Sequence, residues 1–210
     1  MRDHRWEQAA RYLGRPDARV EELMRRAFAA LDAAAPPRAV WTELPCSTRG
    51  EETRLGGAIL RSRDLAALLR NCPRALACAV TLGVRADALI ARAQVTDLAY
   101  ALALQACAAA TAEEAMNELL CERERQLRPQ GLYLTPAFSP GYGDLSPQAN
   151  APLLDLLRAP QRIGVTMLAS GMLAPAKSIA ALSGVTAQPC APQTHKCARC
   201  AMTNCPYRKE

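Results

Sequence analysis

Aromatic residues and histidines are scarce in this sequence of 210 residues. Phenylalanine, tryptophan and tyrosine together make up 4% of it, and the only histidines are His4 and His195. A protein that binds single-stranded nucleic acid usually stacks the bases on exposed aromatic rings. The shortage of aromatic side chains argues against that mode of binding.

Long hydrophobic runs are also missing. No uninterrupted apolar segment approaches the ~18–20 residues that a membrane-spanning helix needs. The first residues, from Met1 to Arg11, are charged and lack the apolar segment of a secretory signal peptide. Half of all residues are hydrophobic and 22% are charged, which indicates a folded chain rather than a disordered one. We expect a cytoplasmic protein of one or two domains with no membrane contact.

Lysine occurs only at Lys177, Lys196 and Lys209, so arginine carries nearly all of the positive charge. The net charge of +6 is compatible with a nucleic-acid surface. The arginines, however, are scattered over every segment and usually stand beside Asp or Glu, which makes the pattern a weak signal. We therefore expect no nucleic-acid partner.

Cysteine, in contrast, is abundant. The nine cysteines are an odd number, and a chain without a secretion signal usually keeps its thiols reduced. Metal or redox chemistry is therefore favoured over a disulfide framework. Cys72, Cys78 and Cys107 lie in apolar segments and are expected in the core. Cys121, near the end of a long predicted helix, is expected to be inert, and the pattern around Cys46 is ambiguous.

The hydrophobic periodicity and the turn residues predict a mixture of helices and strands. Helices are predicted over residues 6–13, 16–31, 63–71, 84–93, 97–126 and 151–158, with Ser62 and Thr96 as N-caps. Strands are predicted over residues 39–44, 55–60, 74–82, 132–138, 163–169 and 175–182. Helices mixed with non-alternating strands indicate an α+β fold with helices packed around an antiparallel sheet. We expect residues 1–186 to form this domain and residues 187–210 to form a tail.

The tail carries the strongest motif that can be identified from spacing alone. Cys190, Cys197, Cys200 and Cys205 form a C-x6-C-x2-C-x4-C pattern, with His195 inside it. Four thiols in so short a span can converge on zinc or on an iron–sulfur cluster. A tail of unligated thiols and a set of redox disulfides are the alternatives, because the spacing matches no single zinc-finger class.

A second motif is a turn-rich segment at residues 139–144, with the sequence Ser-Pro-Gly-Tyr-Gly-Asp. Its glycines allow the backbone to approach a ligand closely, and Tyr142 can stack or form hydrogen bonds. Taken alone, however, the same residues favour a structural turn over a ligand site.

Several segments together resemble one known family. Residues 11–14, 81–83, 93–97, 139–144 and 175–178 match the pattern of short free-standing relatives of the reactivation domain of cobalamin-dependent methionine synthase. The resemblance extends from about residue 9 to the Cys-rich segment. It implies a domain that binds S-adenosylmethionine in a shallow groove, with Gly141 and Tyr142 lining the groove and Pro140 shaping it.

The resemblance also implies a reaction and a partner. In that family the methyl group of S-adenosylmethionine and one electron return cob(II)alamin, held on a separate module, to methylcobalamin. The lower-ligand motif D-x-H-x-x-G is absent here, and His4 is expected to be a solvated terminal residue. Any corrinoid therefore has to be presented by a partner, either a corrinoid-binding protein or a methyltransferase.

Two positions depart from the family pattern. Ala137 occupies the place of the arginine in R-x-x-P-G-Y, and Ala169 the place of the acidic residue in T-E-S. Alanine can neither hold a carboxylate nor balance a cation, so we expect S-adenosylmethionine to bind weakly or through other residues; Arg128 and Arg162 are candidates to hold its carboxylate. The leading hypothesis is an accessory protein for corrinoid reactivation whose tail holds an iron–sulfur cluster or zinc. The alternative is a degenerate docking or sensing module with a structural zinc.

Overall fold

The computed structural model describes residues 4–14 and 16–189. Its helices are α1 (His4–Tyr12), α2 (Ala18–Ala34), α3 (Arg63–Leu69), α4 (Gly83–Thr96), α5 (Leu98–Leu127), α6 (Asn150–Leu157) and α7 (Ala159–Ile163). Its strands are β1 (Arg38–Arg49), β2 (Glu52–Leu55), β3 (Ala58–Arg61), β4 (Arg74–Thr81), β5 (Tyr133–Leu134), β6 (Thr166–Met167), β7 (Leu173–Ala174) and β8 (Ser178–Thr186). Short 3-10 turns occur at Arg128–Gln130 and Pro147–Ala149.

Six strands form one antiparallel sheet in the order β3-β2-β1-β4-β8-β5. Strand β4 lies in the middle, and its residue Ala79 pairs with Val40 of β1 and with Ala180 of β8. Seven of the eight residues of β4 are buried. Both faces of this strand are covered by protein, which accounts for its uninterrupted apolar sequence. A separate hairpin consists of β6 and β7.

The two faces of the sheet are covered by different helices. Leu76 and Cys78 of β4 belong to a cluster with Met116 and Leu120 of α5 on one face. Ala77 belongs to the cluster on the other face, where α3, α6 and α7 pack. Beyond the sheet, α1, α2, α4 and α5 form a helical group whose buried residues are largely alanines. The predicted α+β fold with helices around an antiparallel sheet is confirmed.

Several predicted boundaries were wrong for local reasons. Residues 55–60 form a hairpin rather than one strand, because Gly56 and Gly57 have positive φ angles of 51° and 99° and turn the chain between β2 and β3. The strands predicted over 132–138 and 163–169 shrink to two residues each. The last strand begins at Ser178 rather than at residue 175 and continues to Thr186.

The cap of the long helix was also assigned to the wrong residue. The side chain of Asp97 accepts a hydrogen bond from the backbone N–H of Tyr100 at 3.0 Å, whereas the hydroxyl of Thr96 donates to the carbonyl of Arg92 within α4. Asp97 is thus the N-cap of α5. The predicted capping of α3 by Ser62 is confirmed, since its Oγ accepts from Leu65 N at 3.0 Å.

Of the five cysteines in the described residues, four are buried and Cys121 of α5 is exposed. Cys72, Cys78 and Cys107 are buried as predicted, and Cys46 is buried as well. Burial raises the pKa of the Cys78 and Cys107 thiols to about 12, so both stay protonated and unreactive. Among the described residues, no helix is long and apolar enough to cross a membrane.

Candidate functional site: a glycine loop beside a tyrosine–glutamate pair

The segment at residues 139–145 folds into a closed loop, which we call the glycine loop. The backbone N–H of Gly141 donates to the carbonyl of Leu145 at 2.8 Å, and Tyr142 N donates to the carbonyl of Ser139 at 3.2 Å. Gly141 has a φ of 90°, which L-residues with a side chain rarely adopt. The bonds within the loop fix its shape and leave Tyr142 at its exposed tip, with 57% of its surface accessible.

Asp144 anchors the glycine loop to the first turn of α3. Its carboxylate accepts a hydrogen bond from the hydroxyl of Ser62, and it accepts from the backbone N–H groups of Arg63 and Asp64 at 2.8 and 3.2 Å. The Ser62 hydrogen bond, together with the backbone donors, lowers the pKa of Asp144 below its ordinary value. A carboxylate at this place satisfies helix N–H groups that have no partner within the helix.

The tip of the β6–β7 hairpin packs against the same region. A Cβ on Gly171 would lie 2.8 Å from Cβ of Pro147, and a Cβ on Gly141 would lie 3.8 Å from Cγ of the same proline. The side-chain amide of buried Asn150 donates to the carbonyl of Gly171 at 3.0 Å. Pro147 therefore brings the hairpin turn that carries Ala169 close to the glycine loop.

Apolar side chains are exposed around these two turns. Besides Tyr142, Leu168 and Met172 of the hairpin turn are 51% and 67% exposed. Large apolar side chains on a protein surface are unremarkable when scattered, but a group of them marks a surface for a partner or ligand. We call these three residues the apolar rim.

A polar network between α1 and α5 was missed from the sequence. The phenol of Tyr12 donates a hydrogen bond to the carboxylate of Glu113. The amide of Gln8 donates to the Tyr12 hydroxyl and to the other oxygen of Glu113, both at 2.9 Å. Arg11 in turn donates to the Gln8 carbonyl at 2.5 Å. The signal that could have found it was the resemblance at residues 11–14, where Tyr12 lies.

This network is electrostatically linked to the glycine loop. The pKa of Tyr12 is raised to about 12, chiefly by burial and then by the hydrogen bond to Glu113, and Tyr142 adds a smaller upward contribution. The Nε atom of Arg11 is buried without a hydrogen-bond partner. The phenol of Tyr12, hydrogen-bonded to the carboxylate of Glu113, therefore lies within electrostatic range of the exposed Tyr142.

Ala137 and Ala169, the two positions that depart from the family pattern, make only packing and backbone contacts. Ala137 is half-buried against the cluster under α5, and Ala169 accepts a weak hydrogen bond from Gln148 at 3.5 Å through its carbonyl. Of the two arginines suggested as substitutes, Arg128 pairs with Glu124 at 3.5 Å and Arg162 contacts the carbonyl of Leu157. Each thus contacts the helix that precedes its own segment.

Two further motifs of the resemblance meet at one end of the sheet. Leu82 N donates to the carbonyl of Lys177 at 2.9 Å, and the hydroxyls of Thr81 and Ser178 lie 2.8 Å apart. Ala176 N donates to the carboxylate of Asp87 at 2.9 Å. Burial lowers the pKa of Lys177, and Asp87 partly offsets this. These contacts join β4, α4 and β8. Residues 81–83 and 175–178 therefore have a structural role in the fold.

The four tail cysteines, Cys190, Cys197, Cys200 and Cys205, lie outside the described residues, as does His195. Within residues 4–14 and 16–189, no group of three or more histidine, cysteine or acidic side chains could hold a metal ion. A metal centre in the tail thus stays a prediction.

A scan against protein-family models gave no match, and a search of curated proteins gave none either. Among solved structures, the chain is similar to the crystal structure of the MetH reactivation domain bound to AdoHcy. The TM-score is 0.62 and the sequence identity 19%, over 83% of this chain and 67% of that chain. The fold is thus the α+β fold of a reactivation domain. Because the sequence identity is 19%, this structural similarity confirms the family resemblance found in the sequence for the fold alone.

Proposed function

We propose that this protein is an accessory factor for a corrinoid-dependent methyltransferase, taking part in the reductive reactivation of a corrinoid that a partner holds. The observation that carries the proposal is the exposed Tyr142 at the tip of the glycine loop, beside the hydrogen-bonded pair of Tyr12 and Glu113. The ligand assigned to this place is S-adenosylmethionine.

The side chains near the loop suit a sulfonium cation that also carries an amino-acid group. An aromatic face such as that of Tyr142 attracts a cation. The carboxylate of Glu113 supplies the negative charge that Ala169 does not. In this proposal Glu113 takes over from the acidic residue that Ala169 replaces.

Gly141 and Pro140 have a different task, which is to hold the backbone of the loop in its closed shape. Because Gly141 N is bonded to Leu145 and Asp144 is bonded to α3, the loop is in place before a ligand arrives. A preformed loop lowers the entropy cost of binding.

The apolar rim suits docking of the partner that holds the corrinoid. Leu168, Met172 and Tyr142 surround the proposed ligand position with exposed apolar surface, and apolar surface around a small-molecule site favours docking of a partner. S-adenosylmethionine transfers its methyl group as a methyl cation equivalent. The neutral thioether S-adenosylhomocysteine remains. One electron from a reductant balances the charge for each cobalt(II) converted to methylcobalt(III).

The tail is proposed to supply or conduct that electron. Four thiolates from Cys190, Cys197, Cys200 and Cys205 can hold an iron–sulfur cluster, which an external one-electron donor would reduce again, or a zinc ion, which carries no electron. Protein purified without oxygen and analysed for iron, labile sulfide and zinc distinguishes these cases. A colourless protein without iron would exclude the role in electron delivery.

Calorimetric titration of the full chain tests the ligand. We expect heat from S-adenosylmethionine and weaker binding of S-adenosylhomocysteine, because only the former carries the sulfonium charge that Glu113 and Tyr142 attract. No heat at millimolar ligand would instead favour the second candidate, a degenerate docking or sensing module with a structural zinc. The alanines at positions 137 and 169 are the observation that favours it.

A further inference from the structure

Helix α4 carries apolar residues on two opposite sides. Its buried side, with Ala86, Ile90 and Ala93, packs into the helical group. Its other side is exposed and consists of residues at spacings of four, three and four: Val84, Ala88, Ala91 and Val95. Successive residues of an α-helix lie ~100° apart, so these four fall in one narrow sector that points away from the core. We call them the α4 stripe.

The α4 stripe exposes large apolar side chains at both of its ends. Val84 and Val95 are 69% and 88% exposed. Leu98 and Leu102, in the first two turns of α5, are 66% and 58% exposed and add apolar surface next to the end of α4. A helix that is apolar on all sides is normally covered on all sides, and a group of exposed large apolar side chains marks an interaction surface. The α4 stripe therefore has the character of an interface.

The spacing within the α4 stripe defines the shape of the partner. Apolar residues at alternating spacings of four and three form the a and d seam along which two helices pack in a coiled coil. The small side chains of Ala88 and Ala91 in the middle allow a second helix to approach closely, while Val84 and Val95 contact it at the two ends. The shape that fits is thus a helix with an apolar seam of its own.

The charges beside the α4 stripe define the chemistry of that helix. Arg85 and Arg92 are both exposed, and each follows a stripe residue by one position, so both lie on the same side of the stripe. At ~1.5 Å per residue they stand ~10 Å apart along the helix. Asp87 lies on the other side, but its carboxylate accepts a hydrogen bond from Ala176 N at 2.9 Å and its second oxygen is buried. The charge presented to a partner is therefore positive.

We propose that the α4 stripe is the docking site for an amphipathic helix of another protein, whose apolar seam is bordered by acidic residues seven positions apart that pair with Arg85 and Arg92. Charged residues beside such a seam form salt bridges between the helices and select the partner. The site shares no residue with the glycine loop or the apolar rim, so the inference goes beyond the proposed function and does not depend on the methyl donor.

A second copy of this chain fits the α4 stripe less well. In an antiparallel pair of α4 helices, Arg85 of each copy would face Arg92 of the other, and like charges placed opposite each other disfavour association. In a parallel pair, Arg92 would face Asp87 of the other copy, but that carboxylate is already held by Ala176. A helix with acidic residues at both places satisfies the two arginines in either orientation.

Binding of two synthetic helical peptides to the full chain tests the proposal. Both peptides have leucine at their a and d positions, and the positions beside this seam are all glutamate in one peptide and all lysine in the other. Fluorescence anisotropy at low salt should show binding of the glutamate peptide and at least about tenfold weaker binding of the lysine peptide. Val84→Ser/Val95→Ser should weaken the binding of the glutamate peptide at least about tenfold, because it removes apolar surface that the seam buries.

A charge reversal provides the second arm of the test. Arg85→Glu/Arg92→Glu should reverse the preference, so that the lysine peptide binds more tightly than the glutamate peptide. The control Arg49→Glu/Arg70→Glu changes the net charge equally at two exposed arginines outside α4 and should keep the preference of the wild type. A control that reverses the preference as well would reduce the effect to net charge and overturn the assigned site.

The other outcomes also decide the proposal. Equal affinities for the two peptides, or a preference that survives Arg85→Glu/Arg92→Glu, overturn the acidic partner. Failure of the wild type to bind either peptide refutes the docking site. A chain that sediments as a dimer, and as a monomer after Val84→Ser/Val95→Ser, has its second copy on the α4 stripe, which overturns a different protein as the occupant. The calorimetric test of the methyl donor stands independently of all these results.

Discussion

The phenol of Tyr12 donates a hydrogen bond to the carboxylate of Glu113, a residue 101 positions away in the sequence. The pair joins α1 to α5 and lies close enough to Tyr142 for the two phenols to interact electrostatically. Helix packing thus delivers a carboxylate to the neighbourhood of the glycine loop. The proposed function depends on this contact.

Truncation of Tyr142 should affect ligand binding without affecting the fold. The side chain is 57% exposed, so Tyr142→Ala is expected to change the free energy of unfolding by no more than about 0.5 kcal/mol. A cation over an aromatic ring gains about 1–2 kcal/mol, and 1.4 kcal/mol is a factor of ten in affinity. S-adenosylmethionine should therefore bind roughly tenfold more weakly to Tyr142→Ala, whereas Tyr142→Phe keeps most of the affinity. Equal affinities for all three proteins would refute the aromatic contact.

The Tyr12 phenol should make the protein less stable at high pH. Its pKa in the folded protein is about 12, above the value of about 10 expected in the unfolded chain. The folded state therefore holds the proton more tightly, and this contribution to stability is complete below pH 10 and is lost as the pH rises towards 12. Denaturant unfolding between pH 9 and 12 is the measurement. Tyr12→Phe should reduce the fall in the free energy of unfolding between pH 9 and 12, whereas the control Tyr133→Phe should leave that fall unchanged.

Asp144 should make the protein less stable in acid. Its pKa is lowered by the hydrogen bonds from Ser62 and from the backbone of Arg63 and Asp64, so its stabilising effect is present above the ordinary pKa of aspartate and is lost as the pH falls through the lowered value. In thermal melts, Asp144→Asn should lower Tm at neutral pH and weaken the fall of Tm in acid. The exposed Asp17→Asn variant, which removes the charge at the N-cap of α2 but keeps an accepting oxygen for Val20 N, is a matched control for the glycine loop. An Asp144→Asn protein that melts as wild type would contradict the anchoring role.

Gly184 should not tolerate a methyl group. A Cβ at this position would lie 2.4 Å from Sγ of Cys72 and 2.8 Å from Cδ2 of Leu69. Overpacking of a buried site typically costs about 1–3 kcal/mol, and urea unfolding should show such a loss for Gly184→Ala. The double variant Gly184→Ala/Cys72→Ala makes room for the methyl group and should recover part of it. A double variant that loses the sum of the two single effects would show that the sites do not clash.

The sequence was sufficient for the class of the fold because local signals agreed with the final packing. The buried run of β4, the cap at Ser62 and the long apolar helix are all local features, and each was found at nearly its true position. The strands predicted over 132–138 and 163–169 were too long, since the extent of pairing is decided by distant residues: Phe138, for instance, makes an isolated bridge to Leu182. No periodicity within either segment encodes that contact.

The site was predictable only in part for the same reason. The glycine loop has a local signature, so Pro140, Gly141 and Tyr142 could be singled out from the sequence. The carboxylate near it could not, because Glu113 stands in the middle of an alanine-rich helix and acquires its position only when α1 packs against α5. Arg128 and Arg162 were suggested in place of the arginine missing at Ala137, but no residue was suggested in place of the acid missing at Ala169, because Glu113 lies on another element.

The most direct test of the account compares two glutamates of one helix. Glu113 contacts Tyr12 and Gln8, whereas Glu118 lies exposed further along α5. Calorimetric titration with S-adenosylmethionine should give a measurable Kd for the wild type and for Glu118→Gln. Glu113→Gln should bind about tenfold more weakly, because it removes the charge opposite the sulfonium, and two opposite unit charges ~4 Å apart attract by ~1–4 kcal/mol near a protein surface. Identical binding by the two variants, or no heat from the wild type at millimolar ligand, would contradict the proposed site.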